Sequence, residues 1–233
     1  MLRAVIFDFD GVITDSEVLH LRAFNQSLAQ YGIEITKNDY YTTYLGLNDN
    51  DCYRLLVEKG LLKMDEQQIN ALMTQKKKMF EQLAKTEGKM IEGVRDFLSM
   101  LEQNNIPMAI CSGSLLTEVE MVLDEARLGH LFEVIVSGEQ VKKGKPDPEG
   151  FLLTLKRLNN NVTSAEAGNK NYILPSDCVV IEDSHWGLKA AKAAGMHTIA
   201  VTNSYDAEQL RMADKITDRL NELSIGDLQK LCT

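Results

Sequence analysis

The sequence predicts an α/β protein with a doubly wound, mainly parallel, Rossmann-like sheet and an inserted all-helical cap domain. Two observations predict this class. Short apolar runs recur along the chain, and the interval between the first two is long and has no strand signal. We therefore expect an α/β core from residues 1–15 and 89–233, and a helical cap from residues 16–88. The apolar runs lie at 4–7, 108–111, 134–136 and 178–181.

The first run, Ala4–Phe7, ends on the carboxylates Asp8 and Asp10, and Gly11 follows at once. An apolar strand that stops at acids and a glycine places both carboxylates in a loop at the carboxyl end of the strand, where open α/β sheets bind ligands. Gly11 lets the backbone turn, so both side chains can approach one centre. Two such anions repel unless a cation or a proton lies between them. The alternative is that they cap the following helix.

The second and third runs lead to groups that bind anions. The second leads into Ser112 and Gly113 before a helical pattern, and a hydroxyl with bare N–H groups at a helix N-terminus forms an anion site. The third leads to Lys145 and Pro146, a stiff step near the same sheet edge. Taken alone, Ser112 and Gly113 could be a capping turn, and Lys145 could be a surface lysine.

The fourth run ends in Glu182 and Asp183, before a helix rich in alanine. These acids either cap that helix or bind a metal ion. Because all four runs are expected in one parallel sheet, the sequence predicts that two carboxylate pairs, an anion cradle and a lysine meet at one edge.

The segment 16–88 has apolar residues at intervals of three to four, which indicates helices. Its first helical stretch is closed by Gly32, the second covers 53–57, and the third runs from 65 to about 84. An insertion at this point is typical of a lid over the sheet edge. Further along, the polar stretch 159–175 predicts an exposed loop without an assigned function.

Taken in order, these motifs resemble those of the haloacid dehalogenase superfamily. The first motif of that family has the form DxDG, the second is a Ser or Thr after an apolar strand, the third is a Lys in a GKP context, and the fourth is an acidic pair in an EDS-like turn. All four occur here in the same order and span most of the chain. Residues 8–17 and 182–187 look like the branch that contains β-phosphoglucomutase and related phosphatases.

The resemblance implies phosphoryl transfer that depends on Mg²⁺ and proceeds through an aspartyl phosphate. Asp8 would be the nucleophile, and Asp10 the general acid and then the general base. The metal ligands would be Asp8, Asp10 through its main-chain carbonyl, Asp183 and, directly or through water, Glu182.

Binding of the transferring phosphoryl group would fall to three residues of the second and third motifs. A hydroxyl, a backbone amide and an ammonium would hold its oxygens and offset its charge. These groups belong to Ser112, Gly113 and Lys145.

The resemblance leaves two enzymes open. A β-phosphoglucomutase-type mutase needs a second phosphate site, and its pattern has an arginine and an amide where this chain has Asp49 and Leu116. These departures favour a phosphatase that acts on a small phosphorylated metabolite, such as a sugar phosphate. His20 and Lys76 match residues of the mutase, and with Gly46 they are candidate substrate contacts. Alternatively, His20 forms a bond between helices and Lys76 lies on a solvated helix face.

A function of another class is a phospho-acceptor without enzymatic activity, which binds Mg²⁺ and switches when its aspartate is phosphorylated. Such a receiver needs a long-lived acyl phosphate. Asp10 is placed to destroy one, and a receiver has no inserted cap, so this function is the least favoured.

The composition of the chain argues against several classes of partner and cofactor. The net charge of −9 argues against a nucleic-acid surface, which needs a basic stripe. No stretch is apolar for long enough to cross a membrane, and the N-terminal run is too short and too acidic at its end for a signal peptide, so we expect a cytoplasmic enzyme. The four cysteines form no CxxC pair, which makes zinc and disulfides improbable. The sequence does not predict the oligomeric state.

Overall fold

The computed structural model of the protein describes residues 1–45, 47–87, 89–161 and 172–233. The chain divides into two compact units. The core consists of Met1–Thr14 and Met90–Thr233, and the cap of Asp15–Lys89. The predicted boundaries differ from this division by one residue on each side.

One parallel sheet forms the centre of the core, and six strands belong to it in the described part of the chain. Two of them, the fifth and the sixth, lie beyond the four apolar runs that the sequence analysis identified. The strands are β1 (Ala4–Phe7), β2 (Met108–Cys111), β3 (Phe132–Val136), β4 (Cys178–Glu182), β5 (His197–Val201) and β6 (Lys215–Thr217).

The strand order is β3-β2-β1-β4-β5-β6, so the chain leaves β1 in one direction and later returns to its other side at β4. The point between β1 and β4 is therefore the switch point at which doubly wound sheets bind ligands. Phe7 pairs with Ile181, and the Asp8 amide donates to the Ile181 carbonyl at 2.9 Å. The residues that follow the two strands consequently emerge side by side. The predicted α/β class with a parallel sheet is confirmed.

Some of the helices connect the strands of the core, and the others form the cap. The cap contains α1 (Glu17–Leu28), α2 (Lys37–Asp39), which continues as a π-helical turn, α3 (Asp49–Glu58) and α4 (Glu66–Glu87). The core contains α5 (Val94–Gln103), α6 (Leu116–Ala126), α7 (Glu149–Asn161), α8 (His185–Ala193) and α9 (Ile225–Leu231).

Both faces of the sheet are covered, as continuous apolar strands require. Val5 and Phe7 point into one apolar cluster, which includes residues of α5, α6 and α9. Ala4 and Ile6 point into a second cluster, which includes residues of α7 and α8. Because β1 is completely buried between these layers, its position is strongly determined, and so is the position of the carboxylates that follow it.

The cap is helical, as predicted, and its helices pack through aromatic contacts such as Phe24 stacked on Tyr53 at 4.5 Å between ring centroids. The first helical stretch ends at Gly32, whose φ of +67° is left-handed. The second begins at Asp49, earlier than predicted, because the side chain of Asn48 accepts the Asp51 amide at 2.9 Å and caps α3.

The predicted loop over residues 159–175 needs correction where the structure describes it. Helix α7 continues through Asn161, and Ile173 is buried. The Asn159 amide group connects the end of this helix to Ile173, because it accepts from the Ile173 N–H at 2.8 Å and donates to the Ile173 carbonyl at 3.0 Å. Residues 162–171 lie outside the described residues. Among the helices that the structure does describe, none is long and apolar enough to cross a membrane.

Candidate active site

Lys145 joins the ends of the two central strands. Its Nζ lies 2.7 Å from Asp8 Oδ1, just beyond β1, and 2.6 Å from Glu182 Oε1, at the end of β4. All three side chains are largely buried, and that of Glu182 is completely so. The structure therefore brings together three residues that the sequence analysis selected from three different motifs.

The charges in this cluster do not balance, because Asp183 adds a third carboxylate. Oxygens of Asp8, Glu182 and Asp183 all lie within 4.8 Å of one another, and each residue is buried. One ammonium thus faces three carboxylates in a site of low dielectric. Hard carboxylate oxygens at this separation fit a divalent cation such as Mg²⁺.

The pKa values reflect this crowding. Burial raises the pKa of Asp8 to about 8, Lys145 opposes the rise, and Glu182 and Asp10 add to it. For Lys145, burial lowers the pKa, but the carboxylates of Asp8 and Glu182 outweigh burial and hold the pKa above its usual value. The lysine is therefore cationic at neutral pH, and additional positive charge would favour ionised Asp8.

The carboxylate of Glu182 is held by four donors. Its Oε1 accepts from Lys145, and its Oε2 accepts from the Asp183 amide at 3.1 Å and from the Ser184 amide and hydroxyl at 3.0 and 2.9 Å. Gly187 makes room for it, since a Cβ there would lie 1.6 Å from Glu182 Oε1. Ser184 also caps α8 through the Gly187 amide, so one turn orients the acid and starts the helix.

Asp10 meets the turn that follows β2. Its Oδ2 accepts from the Ser112 hydroxyl at 3.4 Å and from the Ser114 hydroxyl at a shorter distance. The Ser114 amide in turn donates to Ser112 Oγ at 2.9 Å. Ser112 and Asp10 are thus neighbours, as the motifs predicted. Ser114 was not among the predicted site residues, although its hydroxyl stands in the same serine-glycine-serine turn.

Glycines allow the loops of the site to approach one another. Gly11 has a φ of +76°, and a Cβ on it would lie 1.8 Å from Asp183 Oδ2. A Cβ on Gly138 would lie 2.2 Å from the Gly113 carbonyl oxygen. The turn of Gly113 therefore packs directly against the segment after β3, which leads on to Lys145.

Two residues after β5 also reach the site, and no motif pointed to them. The Asn203 amide group donates to the Gly11 carbonyl at 2.7 Å, and the Ser204 hydroxyl donates to Asp183 Oδ2. The apolar run 199–201, which polar residues follow, is the signal that could have indicated both, because it has the same form as the four runs that predicted strands.

Within the cap, two of the candidate substrate residues form one buried cluster. Lys76 Nζ lies 2.8 Å from His20 Nδ1 and 2.9 Å from Asp49 Oδ1, and the His20 ring stacks on Phe80 at 4.0 Å between centroids. Lys76 is 1% exposed, so it does not lie on a solvated helix face. His20 does connect two helices through this contact. Gly46, the third candidate, lies outside the described residues.

A family model described as haloacid dehalogenase-like hydrolase matches residues 5–201. The chain belongs to this family. The resemblance inferred from the motifs is therefore confirmed. The match spans all four motifs, from the strand before Asp8 to the strand after Asp183.

Two relatives named as phosphatases agree with the predicted enzyme class, a phosphoric monoester hydrolase of this family, and a solved structure of a mutase shares the fold. A phosphorylated carbohydrates phosphatase from Thermotoga maritima is 33% identical over 85% of this chain and 84% of its own length. The fructose-1-phosphate phosphatase YqaB of Escherichia coli is 28% identical over 84% of this chain and 95% of its own length. A β-phosphoglucomutase structure from Clostridium difficile has a TM-score of 0.85 at 26% identity, covering 100% of this chain and 97% of that one.

Proposed function

We propose that the protein is a Mg²⁺-dependent phosphatase that hydrolyses a small phosphorylated metabolite, such as a sugar phosphate, through an aspartyl phosphate on Asp8. The observation that carries this proposal is the contact of Lys145 with both Asp8 and Glu182, beside Asp183, at the switch point of the sheet. A nucleophile, a cation for the phosphoryl oxygens and acids for a metal ion are thereby within reach of one phosphorus atom.

In the first half-reaction, a carboxylate oxygen of Asp8 attacks phosphorus, and the bond from phosphorus to the ester oxygen breaks. Lys145 offsets the repulsion between Asp8 and the incoming phosphate. The Ser112 hydroxyl and the Gly113 amide hold phosphoryl oxygens at the N-terminal side of α6. These groups supply charge where it develops, and Lys145 is held in place before the substrate arrives by Asp8 and Glu182.

Asp10 moves the protons. It donates a proton to the leaving oxygen, and in the second half-reaction it takes one from the water that attacks the phosphoryl group of Asp8. The products are inorganic phosphate and free Asp8. The Ser114 hydroxyl holds one oxygen of Asp10, which restricts rotation of its carboxyl group. The Ser112 hydroxyl, 3.4 Å from the same oxygen, would turn from Asp10 to the phosphoryl group when the substrate binds. A receiver without enzymatic activity would not benefit from such a base beside its acyl phosphate.

Asp8, Asp183 and the main-chain carbonyl of Asp10 would hold Mg²⁺, with Glu182 as a further acid. Because Glu182 already accepts four hydrogen bonds, we favour its acting through water or through its charge. When bound, Mg²⁺ would offset the carboxylate charge, keep Asp8 ionised at neutral pH and polarise the phosphoryl group.

The cap favours a phosphatase over a mutase. A sugar bisphosphate has a second phosphate that needs its own cation. Within the described part of the cap, Lys76 is a buried cation, but its ammonium already lies 2.9 Å from Asp49. The mutase pattern has an arginine at the position of Asp49. Relatives named as phosphatases of phosphorylated carbohydrates and of fructose 1-phosphate support a sugar phosphate as the substrate. A cytoplasmic location stays a prediction.

The experiment is a screen of sugar phosphates, phosphoglycolate, glycerol phosphate and nucleotides with Mg²⁺, with release of inorganic phosphate as the readout. We expect hydrolysis of at least one small phosphate. β-Glucose 1-phosphate with a catalytic amount of β-glucose 1,6-bisphosphate is run beside it in an assay coupled to glucose 6-phosphate dehydrogenase. A rapid coupled signal without free phosphate would instead establish the mutase.

Asp8→Asn tests the nucleophile, because an amide cannot form the acyl phosphate. We expect turnover to fall at least about 10³-fold while circular dichroism stays unchanged. Asp124→Asn, at an exposed position of α6, is the matched control and should keep the parent rate. A folded Asp8→Asn protein with appreciable turnover would show that another residue is the nucleophile.

A further inference from the structure

The loop that follows β5 contacts the candidate metal site through Ser204. The Ser204 hydroxyl, which is half-buried, donates to Asp183 Oδ2. A Cβ on Gly11 would lie 1.8 Å from that same oxygen and 3.0 Å from Ser204 Oγ. The carboxylate of Asp183 is thus confined between the catalytic loop on one side and the hydroxyl on the other.

The sheet explains why Ser204 reaches this place. β5 pairs in parallel with β4, with Glu182 opposite Ala200, so the residues after β5 run beside the turn that carries Asp183. The loop is held at its start by β6, because the Thr202 amide donates to the Thr217 carbonyl at 3.2 Å. At its next residue, Asn203 donates to the Gly11 carbonyl at 2.7 Å.

We propose that Ser204 is a positioning residue for Asp183, which fixes the rotation of the carboxylate for binding a divalent cation, while Asn203 holds the turn at Gly11. This inference rests on the proposed function, since it assigns Asp183 to a metal ion. Carboxylates that bind metals are themselves held by hydrogen bonds, and loss of such a partner typically costs about 10- to 100-fold in metal affinity or activity.

A bond that only stabilised the fold would behave differently. Its removal would lower the melting temperature of the metal-free protein and leave the Mg²⁺ affinity of the folded protein unchanged. A positioning bond must change that affinity, whatever its effect on melting. The dissociation constant for Mg²⁺, measured without substrate, therefore separates the two roles.

The test compares Ser204→Val with Ser204→Thr, two side chains of similar volume of which one retains a hydroxyl. Thr202→Val is the matched control, because its hydroxyl lies in the same loop but donates to Asp218 at 2.7 Å. Mg²⁺ is titrated into each protein by calorimetry and by fluorescence of Trp186. Trp186 is the only tryptophan of the chain and stands three residues after Asp183.

We expect Ser204→Val to raise the dissociation constant for Mg²⁺ about 10- to 100-fold, and to reduce kcat at saturating Mg²⁺ much less. Ser204→Thr and Thr202→Val should stay close to the parent protein. A Ser204→Val protein that binds Mg²⁺ within about twofold of the parent would overturn the inference, and so would an equal loss in Thr202→Val.

Failure of this inference is distinguishable from failure of the proposed function. If the parent binds Mg²⁺ and Ser204→Val binds it equally well, only the role of Ser204 is wrong. If the parent binds no Mg²⁺ and keeps full turnover in excess chelator, the metal dependence of the proposed function is wrong as well.

Discussion

At the scale of single residues, the candidate site is defined by an excess of negative charge. Lys145 compensates part of the charge of Asp8 and Glu182, and Asp183 stands within 4.8 Å of both acids. Small changes in how these oxygens are packed should therefore have large effects on catalysis, because reacting groups tolerate little displacement.

Gly11→Ala tests this packing. The new methyl group would collide with Asp183 Oδ2, whose distance from an ideal Cβ is 1.8 Å, and it would also strain a left-handed backbone. We expect kcat/KM for the best substrate to fall about 10²-fold or more. The measurement is steady-state phosphate release at saturating Mg²⁺.

Gly32→Ala separates the collision from the strain. Gly32 has a similar φ of +67°, but a Cβ there would meet no atom within 4 Å. This control should lose about 1–2 kcal/mol of stability and keep its turnover. Equal losses of turnover in the two variants would mean that backbone strain, and not the contact with Asp183, determines the effect.

At the scale of helices and strands, polar clusters connect one element to the next. In the cap, Lys76 on α4 bonds to His20 on α1 and to Asp49 on α3. In the core, Asp214 immediately precedes β6 and connects it to β5 and α8. Its Oδ2 accepts from the Thr198 amide at 2.8 Å, and its Oδ1 accepts from Lys192 Nζ at 2.6 Å. A substitution in each cluster has a specific expected effect on stability.

Asp49→Ala should destabilise the protein, because it removes a carboxylate that lies 2.9 Å from the buried ammonium of Lys76. We expect the melting temperature to fall by several degrees, the equivalent of about 2 kcal/mol. The double variant Asp49→Ala, Lys76→Met should recover part of this loss, since it also removes the buried ammonium. Lys78→Met, on the exposed side of α4, is the control and should melt like the parent. A double variant less stable than Asp49→Ala alone would contradict this account.

The stability contributed by Asp214 should depend on pH. Burial acts to raise the pKa of Asp214, but hydrogen bonds from Lys192 and Thr198 outweigh it and hold the pKa below its usual value. An unfolded aspartate has a pKa of about 3.9, so ionised Asp214 adds stability above that pH, and this stability is lost as the pH falls through the lower folded pKa.

Asp214→Asn is therefore expected to melt at a lower temperature than the parent at pH 7, with a difference that shrinks as the pH falls below about 3.9. Thermal melts from pH 7 down to about pH 2, which extend below the pKa of an unfolded aspartate, measure this difference. Asp124→Asn, an exposed carboxylate, should show little difference throughout. A gap for Asp214→Asn that is constant with pH would show that the charge of Asp214 does not contribute.

At the scale of the whole molecule, the core assembles its site from residues far apart in the chain. Asp8 lies near the N-terminus, and Ser204 almost two hundred residues later, yet both contact the same group of loops. The carboxylates of Asp8, Glu182 and Asp183 come together only in the folded core. Metal binding is therefore a property of the folded state, since the unfolded chain would not hold these carboxylates together.

Mg²⁺ should accordingly stabilise the folded protein as well as support turnover. A cation that binds only the folded state adds about 2.7 kcal/mol at a concentration a hundred times its dissociation constant, which corresponds to a rise of several degrees in the melting temperature. Excess chelator should abolish both this rise and phosphate release. Asp183→Asn should melt equally with and without Mg²⁺. A parent protein that melts identically in Mg²⁺ and in chelator would contradict the metal site.

The sequence by itself determined the α/β class, the helical cap and the residues of four motifs. It could do so because short continuous apolar runs are typical of buried strands in a parallel sheet, and because polar groups at the ends of such strands meet at one edge. Asp8, Lys145, Glu182 and Asp183 were candidates by this argument, and the resemblance to the haloacid dehalogenase superfamily selected them before any contact was known. The helical periodicity of residues 16–88 likewise needs no tertiary information.

Only the tertiary structure decided which other residues join them. Ser114, Asn203 and Ser204 reach the site because β2 and β5 lie on opposite sides of the central strands, and their local sequences resemble ordinary turns. Lys76 is buried because Asp49 and His20, distant in sequence, pair with it, and no periodicity reports such a pairing. Local pattern specifies strands, helices and their ends, whereas contacts between loops depend on the order of strands in the sheet.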